Sequence, residues 1–138
     1  MSRPFLIVEA GGTLFGLEQA LIREIVPARM ITRLPGAPAA VRGLLNVRGT
    51  LVTVVDLAVR FGAGRTANDD ASVVVAASQS RSLGLLVDEV HDVQSFADDA
   101  LLASPAELAD LAIAGLGHFG ERIVLAVELH ELARQTLA

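Results

Sequence analysis

The sequence predicts a mostly β protein made of two small lobes, each with about five strands. Two observations support this prediction. Short runs of β-branched and aliphatic residues recur along the chain, separated by turns that contain glycine. The same order of strands also appears in both halves of the chain. Sheets this small tend to curl into barrels, because closure removes their unpaired edges.

Strands are predicted wherever an apolar run is bounded by turn residues. In the first half, the predicted strands cover residues 5–9, 13–17, 22–26, 44–47 and 51–55. In the second half, they cover residues 72–77, 83–87 and 122–127, with a further strand through Val90 and Val93.

Helices are predicted to be few and mostly short. A helical turn is expected at 18–21, and another after Asp56, which is placed to cap it. Longer helices are expected at 105–111, which begins with proline, and at 128–137, where apolar residues recur at helical intervals. Residues 34–38 contain two prolines and a glycine, so they are predicted to form a loop.

Internal similarity is the most informative pattern in the chain. A shift of 72 positions aligns, without a gap, Gly43 with Gly115, Val52 with Val124, Val55 with Val127, Asp56 with Glu128 and Leu57 with Leu129. A shift of 68 positions aligns Gly16 with Gly84, Leu17 with Leu85, Ile22 with Val90, Glu24 with Asp92 and Ile25 with Val93. Chance repetition of Gly and Val is the alternative explanation. Retention of both the acidic and the glycine positions favours two equivalent lobes.

The length of 138 residues fits a single domain. We assign the first lobe to residues of about 14–70 and the second to about 71–127, with 1–13 and 128–138 packing across both. The polar segment 62–70 is interpreted as the hinge between the halves. With 52% hydrophobic residues and a mean hydropathy of +0.53, the lobes can share a sizeable core.

Composition excludes several classes of function. The chain has no cysteine, so disulfides, thiolate metal sites and cysteine nucleophiles are absent. All 11 basic residues are arginine, which excludes lysine-dependent catalysis. A formal charge of −5 and a pI near 5.1 argue against nucleic acid as a partner. No apolar run is long enough to cross a bilayer, so we expect a cytoplasmic protein without direct membrane insertion.

Patterns that could bind a ligand are interpreted as structural. Residues 115–120 spell G-x-G-x-x-G, but a strand-like run follows instead of a helix, so no dinucleotide site is predicted. His91 lies in the acidic run 88–92, whose side chains on one strand would divide between two faces. A solvated strand end is therefore expected there and not a metal site. His118, in a turn, and His130, on an exposed helix face, are predicted to lack catalytic partners, so no catalytic, cofactor or metal residue is assigned.

The segment 41–57 concentrates its polar residues at turns between apolar strands. Asn46 and Gly49 are predicted to let the chain reverse tightly, because Asn and Gly tolerate positive φ. Arg48 is then held at the turn, where it projects a fork of five N–H donors. For an isolated arginine, a solvated turn residue would be the ordinary interpretation.

The chain from Phe5 to about Leu132 resembles the CheW-like domain family of bacterial chemotaxis signalling. The resemblance lies in RGLLNVRG at 42–49, VVDL at 54–57, FGL at 15–17, GLLVD at 84–88 and GLG at 115–117. It implies two five-stranded SH3-like β-barrel subdomains that share a hydrophobic core, with no catalytic activity. It also implies an adaptor that couples chemoreceptors, the methyl-accepting chemotaxis proteins, to the histidine kinase CheA.

The resemblance further implies where the partners bind. The receptor's cytoplasmic helical tip would lie in a groove between the subdomains, and the regulatory domain of a CheA-like kinase would bind at subdomain ends, through residues that the sequence does not identify. Arg48 matches the arginine of the family's Asn-x-Arg-Gly motif, which is associated with receptor engagement, and Glu24 matches an acidic position that can pair with it. The expected receptor-binding residues are Ile22, Glu24, Ile25, Val41, Asn46, Arg48 and Gly49.

Two other functions remain as alternatives. One is a scaffold of the same family in a non-flagellar chemosensory-type pathway, such as type IV pilus motility. The other is a small hydrolase whose Ser, His and acidic residues come together only in the folded chain.

Overall fold

The computed structural model describes residues 1–97, 101 and 110–137. Its strands are β1 Ser2–Ala10, β2 Thr13–Glu18, β3 Ile22–Pro27, β4 Val41–Val47, β5 Thr50–Asp56, β6 Ser72–Ser78, β7 Arg81–Val87, β8 Glu89–Ala97, β9 Ile113–Phe119 and β10 Arg122–Val127. Its α-helices are α1 Leu57–Arg60 and α2 Leu129–Leu137, and short 3-10 turns cover Gln19–Leu21 and Ala28–Met30. The helix predicted at 105–111 falls mostly outside the described residues. Neither described α-helix is long and apolar enough to cross a membrane.

The strands form two five-stranded sheets. Sheet A has the order β8-β1-β2-β10-β9, and sheet B has the order β3-β6-β7-β5-β4. Each sheet contains one parallel pair, β2 with β10 and β5 with β7, and its other neighbours are antiparallel. In the part of the chain that the structure describes, no ladder joins the two outer strands of a sheet. The predicted pair of five-stranded subdomains is therefore confirmed, but neither closes into a barrel.

The sequence repeat corresponds to a structural repeat. A shift of 72 positions maps β4 onto β9 over their whole lengths, and β5 onto β10 to within one residue. A shift of 68 maps the starts of β2 and β7 onto each other and overlaps β3 with β8. Every strand pairing of one sheet recurs in the other between the equivalent strands, with the same direction.

Each sheet nevertheless takes strands from both repeats. Sheet A combines β1 and β2 with β8, β9 and β10, and sheet B combines β6 and β7 with β3, β4 and β5. The lobes predicted at 14–70 and 71–127 therefore do not coincide with the two sheets. The first two strands of each repeat lie in the sheet formed by the last three strands of the other repeat. Pairing between strands is a long-range choice that a local sequence pattern does not encode.

A shared core joins the two sheets, as predicted. The central cluster includes Leu17 of sheet A, Leu85 of sheet B and Leu132 of α2, all fully buried. Two smaller clusters lie within the individual sheets, around Phe5 in sheet A and Val54 in sheet B. Because the largest cluster draws on both sheets, their association contributes to the hydrophobic stabilisation of the fold.

The segment 62–70, which was interpreted as a hinge, is tied down along its length. The Thr66 amide donates to Asp56 at 3.1 Å, and the Asn68 amide donates to Asp88 at 2.9 Å. Asp88 also accepts from the Gly11 amide at 2.9 Å, so it is a structural residue and not a solvated strand end. The connector is therefore fixed to β5 and to the β7–β8 corner.

Candidate protein-binding site

The β4–β5 hairpin places Arg48 at its tip. The turn consists of Arg48 and Gly49 alone, with φ of 51° and 84°. Two consecutive residues with positive φ define the type I′ turn that suits the twist of a hairpin. The prediction that Asn46 would take this conformation is wrong. Its Oδ1 instead accepts a hydrogen bond from the Gly49 amide at 2.9 Å, and so holds the turn closed.

Arg48 therefore adopts a backbone conformation that costs a residue with a side chain about 1–2 kcal/mol. Its side chain is 84% exposed, and its Nη1 lies 3.4 Å from Oε2 of Glu24, whose side chain is 26% exposed. An ion pair this open contributes about 0–1 kcal/mol. Arg48 thus adds little to folding, and its donors are accessible to a partner.

Glu24 and Arg48 meet although β3 and β4 are the two outer strands of sheet B, so the sheet curls enough to bring its two edges together. They border a cleft of about 140 Å³. Its lining combines two charged side chains with an amide and four apolar residues, namely Glu24, Val26, Met30, Leu45, Asn46, Val47 and Arg48. All of these belong to sheet B or its adjoining turn. A groove between the two subdomains was expected, but the cleft at Arg48 lies within sheet B.

The other predicted receptor-binding residues lie elsewhere. Ile22 packs against the central core. Ile25 is 45% exposed on the opposite face of β3 from Glu24. Val41 lines a different cavity, at the far end of β4. The structure thus brings together Glu24, Asn46, Arg48 and Gly49 but not these three.

Sequence reasoning missed the apolar lining of this cleft. Val26 could have been found, because strand periodicity places it on the same face as Glu24, two residues away. Met30 lies in the 3-10 turn after β3 and is 55% exposed, and no periodic pattern pointed to it.

A buried polar network centred on Asp56 joins the start of β4 to α1 and to the segment 62–70. Asp56 is 1% exposed and accepts hydrogen bonds from Arg42 Nη2 at 2.7 Å and from the Thr66 hydroxyl at 2.8 Å. It also accepts from the Ala58 amide at 3.0 Å, which confirms its predicted role as a helix cap. Every carboxylate oxygen is thus paired, as a buried charge requires.

His91 lies in a second charged group, on sheet A. Its Nε2 is 3.0 Å from Glu9 Oε1 and 3.8 Å from Glu89 Oε2. These three side chains have the spacing of potential metal ligands. Arg122 Nη1, however, donates to the same Glu9 oxygen at 3.0 Å. Hydrogen bonds from Arg122, and to a smaller extent from His91, lower the pKa of Glu9 from its usual 4.5. The negative charge of this carboxylate is therefore already balanced by the guanidinium of Arg122.

A serine and a histidine also meet in the folded chain. Ser78 Oγ lies 2.8 Å from Nδ1 of His130, which is on an exposed part of α2 as predicted. The nearby Glu128 accepts from the His130 backbone amide at 3.0 Å and not from its ring. Within the described residues no carboxylate orients the imidazole, so the pair lacks the third member of a hydrolytic triad.

The fold and the site together define a duplicated two-sheet β protein whose charged side chains border open surface clefts. The CheW-like domain model matches residues 4–137. The "Chemotaxis protein CheW" of Klebsiella aerogenes is 30% identical over 136 residues, which are 96% of this chain and 82% of that protein. The "Protein PilI" of Pseudomonas aeruginosa is 32% identical over 90 residues, which are 64% of this chain and 51% of PilI.

A solved structure is similar as well. The scaffolding protein TtCheW from Thermoanaerobacter tengcongensis superposes with a TM-score of 0.85 at 26% identity, over 96% of this chain and 88% of that one. The chain belongs to the CheW-like domain family.

Proposed function

We propose that this chain is a chemotaxis adaptor that couples chemoreceptors, the methyl-accepting chemotaxis proteins, to a CheA-like histidine kinase in the cytoplasm. One observation carries the proposal. Arg48 is held in a strained left-handed turn, almost fully exposed, beside a cleft with apolar lining. The turn conformation favours Asn or Gly at this position, and an exposed arginine there costs stability without adding a packing contact, which is characteristic of binding positions.

The cleft has the chemistry to bind the side of a helix. The side chain of Met30 is flexible and half exposed, so it can adapt to an apolar side chain of the partner. Arg48 can then form charge-assisted hydrogen bonds with an acidic residue one helical turn away. The cytoplasmic helical tip of a receptor presents such a surface if it follows the helix-in-groove mode of recognition. Scaffolding requires a second partner as well, and we assign the kinase's regulatory domain to other ends of the sheets.

No catalytic activity forms part of this proposal. Among the residues that the structure describes, the Ser78–His130 pair is the nearest approach to a hydrolytic centre, and no carboxylate there contacts its imidazole. The similarity to PilI favours a second candidate, a scaffold in a type IV pilus or another non-flagellar chemosensory-type pathway. Both candidates use the same cleft and differ in the receptor that it binds.

The test is a pull-down of receptor signalling fragments by the purified chain. Arg48→Ala and Arg48→Glu should abolish or strongly reduce capture, while far-UV circular dichroism and the melting temperature stay nearly unchanged, because the side chain is exposed. Arg29→Ala is the matched control, since Arg29 is also exposed and makes no hydrogen bond or ion pair within the described residues.

Undiminished capture by both Arg48 variants would contradict the receptor assignment. Fragments from the flagellar and pilus systems, compared side by side, separate the two candidate pathways. Co-purification of the chain with a CheA-like kinase tests the second interface independently, and absence of kinase binding at high concentration would rule out coupling.

A further inference from the structure

A cavity separate from the Arg48 cleft is not assigned to either partner in the proposed function. It has a volume of about 620 Å³ and lies where the loop 33–39 meets the start of β4. Among the described residues, its lining contains three arginines and no acidic side chain, and comprises Arg33, Leu34, Pro35, Gly36, Ala37, Pro38, Ala39, Val41, Arg42, Val59 and Arg65. In a chain with a net charge of −5, such a lining is a local reversal of charge.

Two of these arginines have no protein partner in the described residues. Arg33 and Arg65 are exposed and form no hydrogen bond or ion pair there. Arg42 differs, because its Nη2 donates to Asp56 and to the Thr66 carbonyl, while its Nη1 and Nε make no such bond. The cavity therefore carries two uncompensated positive charges and a third guanidinium with donors to spare.

The cavity walls are held in place before any ligand arrives. The loop is anchored by a pair of 2.8 Å backbone hydrogen bonds between Thr32 and Leu44, and by the Val41 amide donating to Pro38 at 2.9 Å. Arg65 is adjacent to Thr66, whose amide and hydroxyl both donate to Asp56. A preformed site loses less conformational entropy when it binds.

We propose that this cavity binds the carboxylates of an acidic protein segment. Guanidinium groups match carboxylates with paired hydrogen bonds, and arginine is less strongly hydrated than lysine. Leu34, Val41 and Val59 offer apolar surface for the aliphatic parts of Glu and neighbouring side chains. The volume is that of a ligand site and accommodates more than one side chain.

This site is distinct from the Arg48 cleft. Val41 and Val47 are the two ends of β4, and a strand of seven residues spans about 20 Å, so the two sites lie at opposite ends of one outer strand. An acidic segment could occupy the arginine cavity while a helix occupies the Arg48 cleft. The proposal does not depend on the identity of the receptor or the kinase.

The test measures fluorescence anisotropy of a labelled octapeptide that alternates Glu with Leu and Pro, at low ionic strength. The matched peptide carries Gln in place of Glu, and inorganic phosphate serves as a competitor. The intact chain should bind the Glu peptide, bind the Gln peptide at least about tenfold more weakly, and lose affinity as salt is added. The double variant Arg33→Ala/Arg65→Ala should weaken binding by about tenfold or more, since each lost pair is worth about threefold to fivefold.

Two controls decide the location of binding. Arg29→Ala removes the same charge from an exposed arginine outside the cavity and should leave affinity within about twofold. Arg48→Ala should also retain the peptide. Loss of peptide binding in Arg48→Ala with retention in the double variant would place the peptide in the other cleft and overturn this proposal, while leaving the proposed function intact. Equal binding of both peptides, or Arg33- and Arg65-dependent binding of phosphate alone, would overturn it as well.

Discussion

Replacement of Asp56 by alanine should destabilise the protein more than any surface change, because this carboxylate organises three separate segments. It accepts hydrogen bonds from Arg42 Nη2 and the Ala58 amide, and from both the amide and the hydroxyl of Thr66. Loss of the helix cap costs about 1 kcal/mol. The Thr66 amide, buried without an acceptor, costs about 1–3 kcal/mol more.

The contribution of Arg42 is smaller than that of a fully buried ion pair. Its side chain is 23% exposed, so water can replace part of the lost interaction. We assign about 1 kcal/mol to it, which gives a total of about 3–4 kcal/mol for Asp56→Ala once overlap between the terms is allowed for. Domains of this size are stable by about 5–15 kcal/mol. The melting temperature should therefore fall by on the order of 10 °C.

Urea unfolding followed by far-UV circular dichroism measures this loss directly, since the chain has no Trp or Tyr to report by fluorescence. Asp69→Ala is the control, because Asp69 is exposed and makes no hydrogen bond or ion pair within the described residues. It should change the unfolding free energy by less than about 0.5 kcal/mol. Asp56→Asn should fall between the two, because one oxygen remains as an acceptor for Ala58. A loss below about 1 kcal/mol in Asp56→Ala would refute the assignment of this network.

Two further predictions concern backbone packing and pH. A Cβ added at Gly43 would lie 2.2 Å from the Thr32 carbonyl oxygen, so Gly43→Ala should cost about 2 kcal/mol or more in urea unfolding, and a loss below about 1 kcal/mol would contradict this. Glu9 has its pKa lowered from 4.5 by hydrogen bonds from Arg122 and His91. The contribution of the ionised Glu9 to the free energy of unfolding is therefore fully present above about pH 4.5. It is lost as the pH falls through the lowered pKa of this carboxyl in the folded protein. The advantage of the wild type over Glu9→Gln should shrink on acidification, and a constant advantage would show that Glu9 is not linked to stability.

Much of the fold could be predicted because its signals are local. Glycine turns and apolar runs indicated where the strands lie. The sequence repeat at a shift of 72 positions, which aligns Asp56 with Glu128, also predicted that these two residues have equivalent positions in the fold. Asp56 accepts from the Ala58 amide, and Glu128 accepts from the His130 amide, 72 positions further on. The exchange of strands between repeats was not predictable, because equivalent strands can pair within or between repeats without any change in their sequence.

The candidate site was predicted by family resemblance more than by physics. Glu24 and Arg48 are 24 positions apart at opposite edges of sheet B, and only the curl of the sheet brings them together. Ile25 was included although strand periodicity places it on the face opposite Glu24. Arg42 and Thr66 were missed because the network that joins them to Asp56 connects β4, β5 and the segment 62–70, and has no sequence period.

The strand exchange has a consequence for the origin and use of this architecture. Two separate copies of one five-stranded repeat could form both sheets if each copy paired its first two strands with the last three strands of the other. The chain is therefore the covalent counterpart of a domain-swapped homodimer. A true homodimer must present two identical faces. Fusion removes that constraint, and here the counterpart of Arg48 is Gly120, while the counterpart of Asn46 is His118. One polypeptide can thereby offer unlike faces to unlike neighbours, which no symmetric pair of subunits can do.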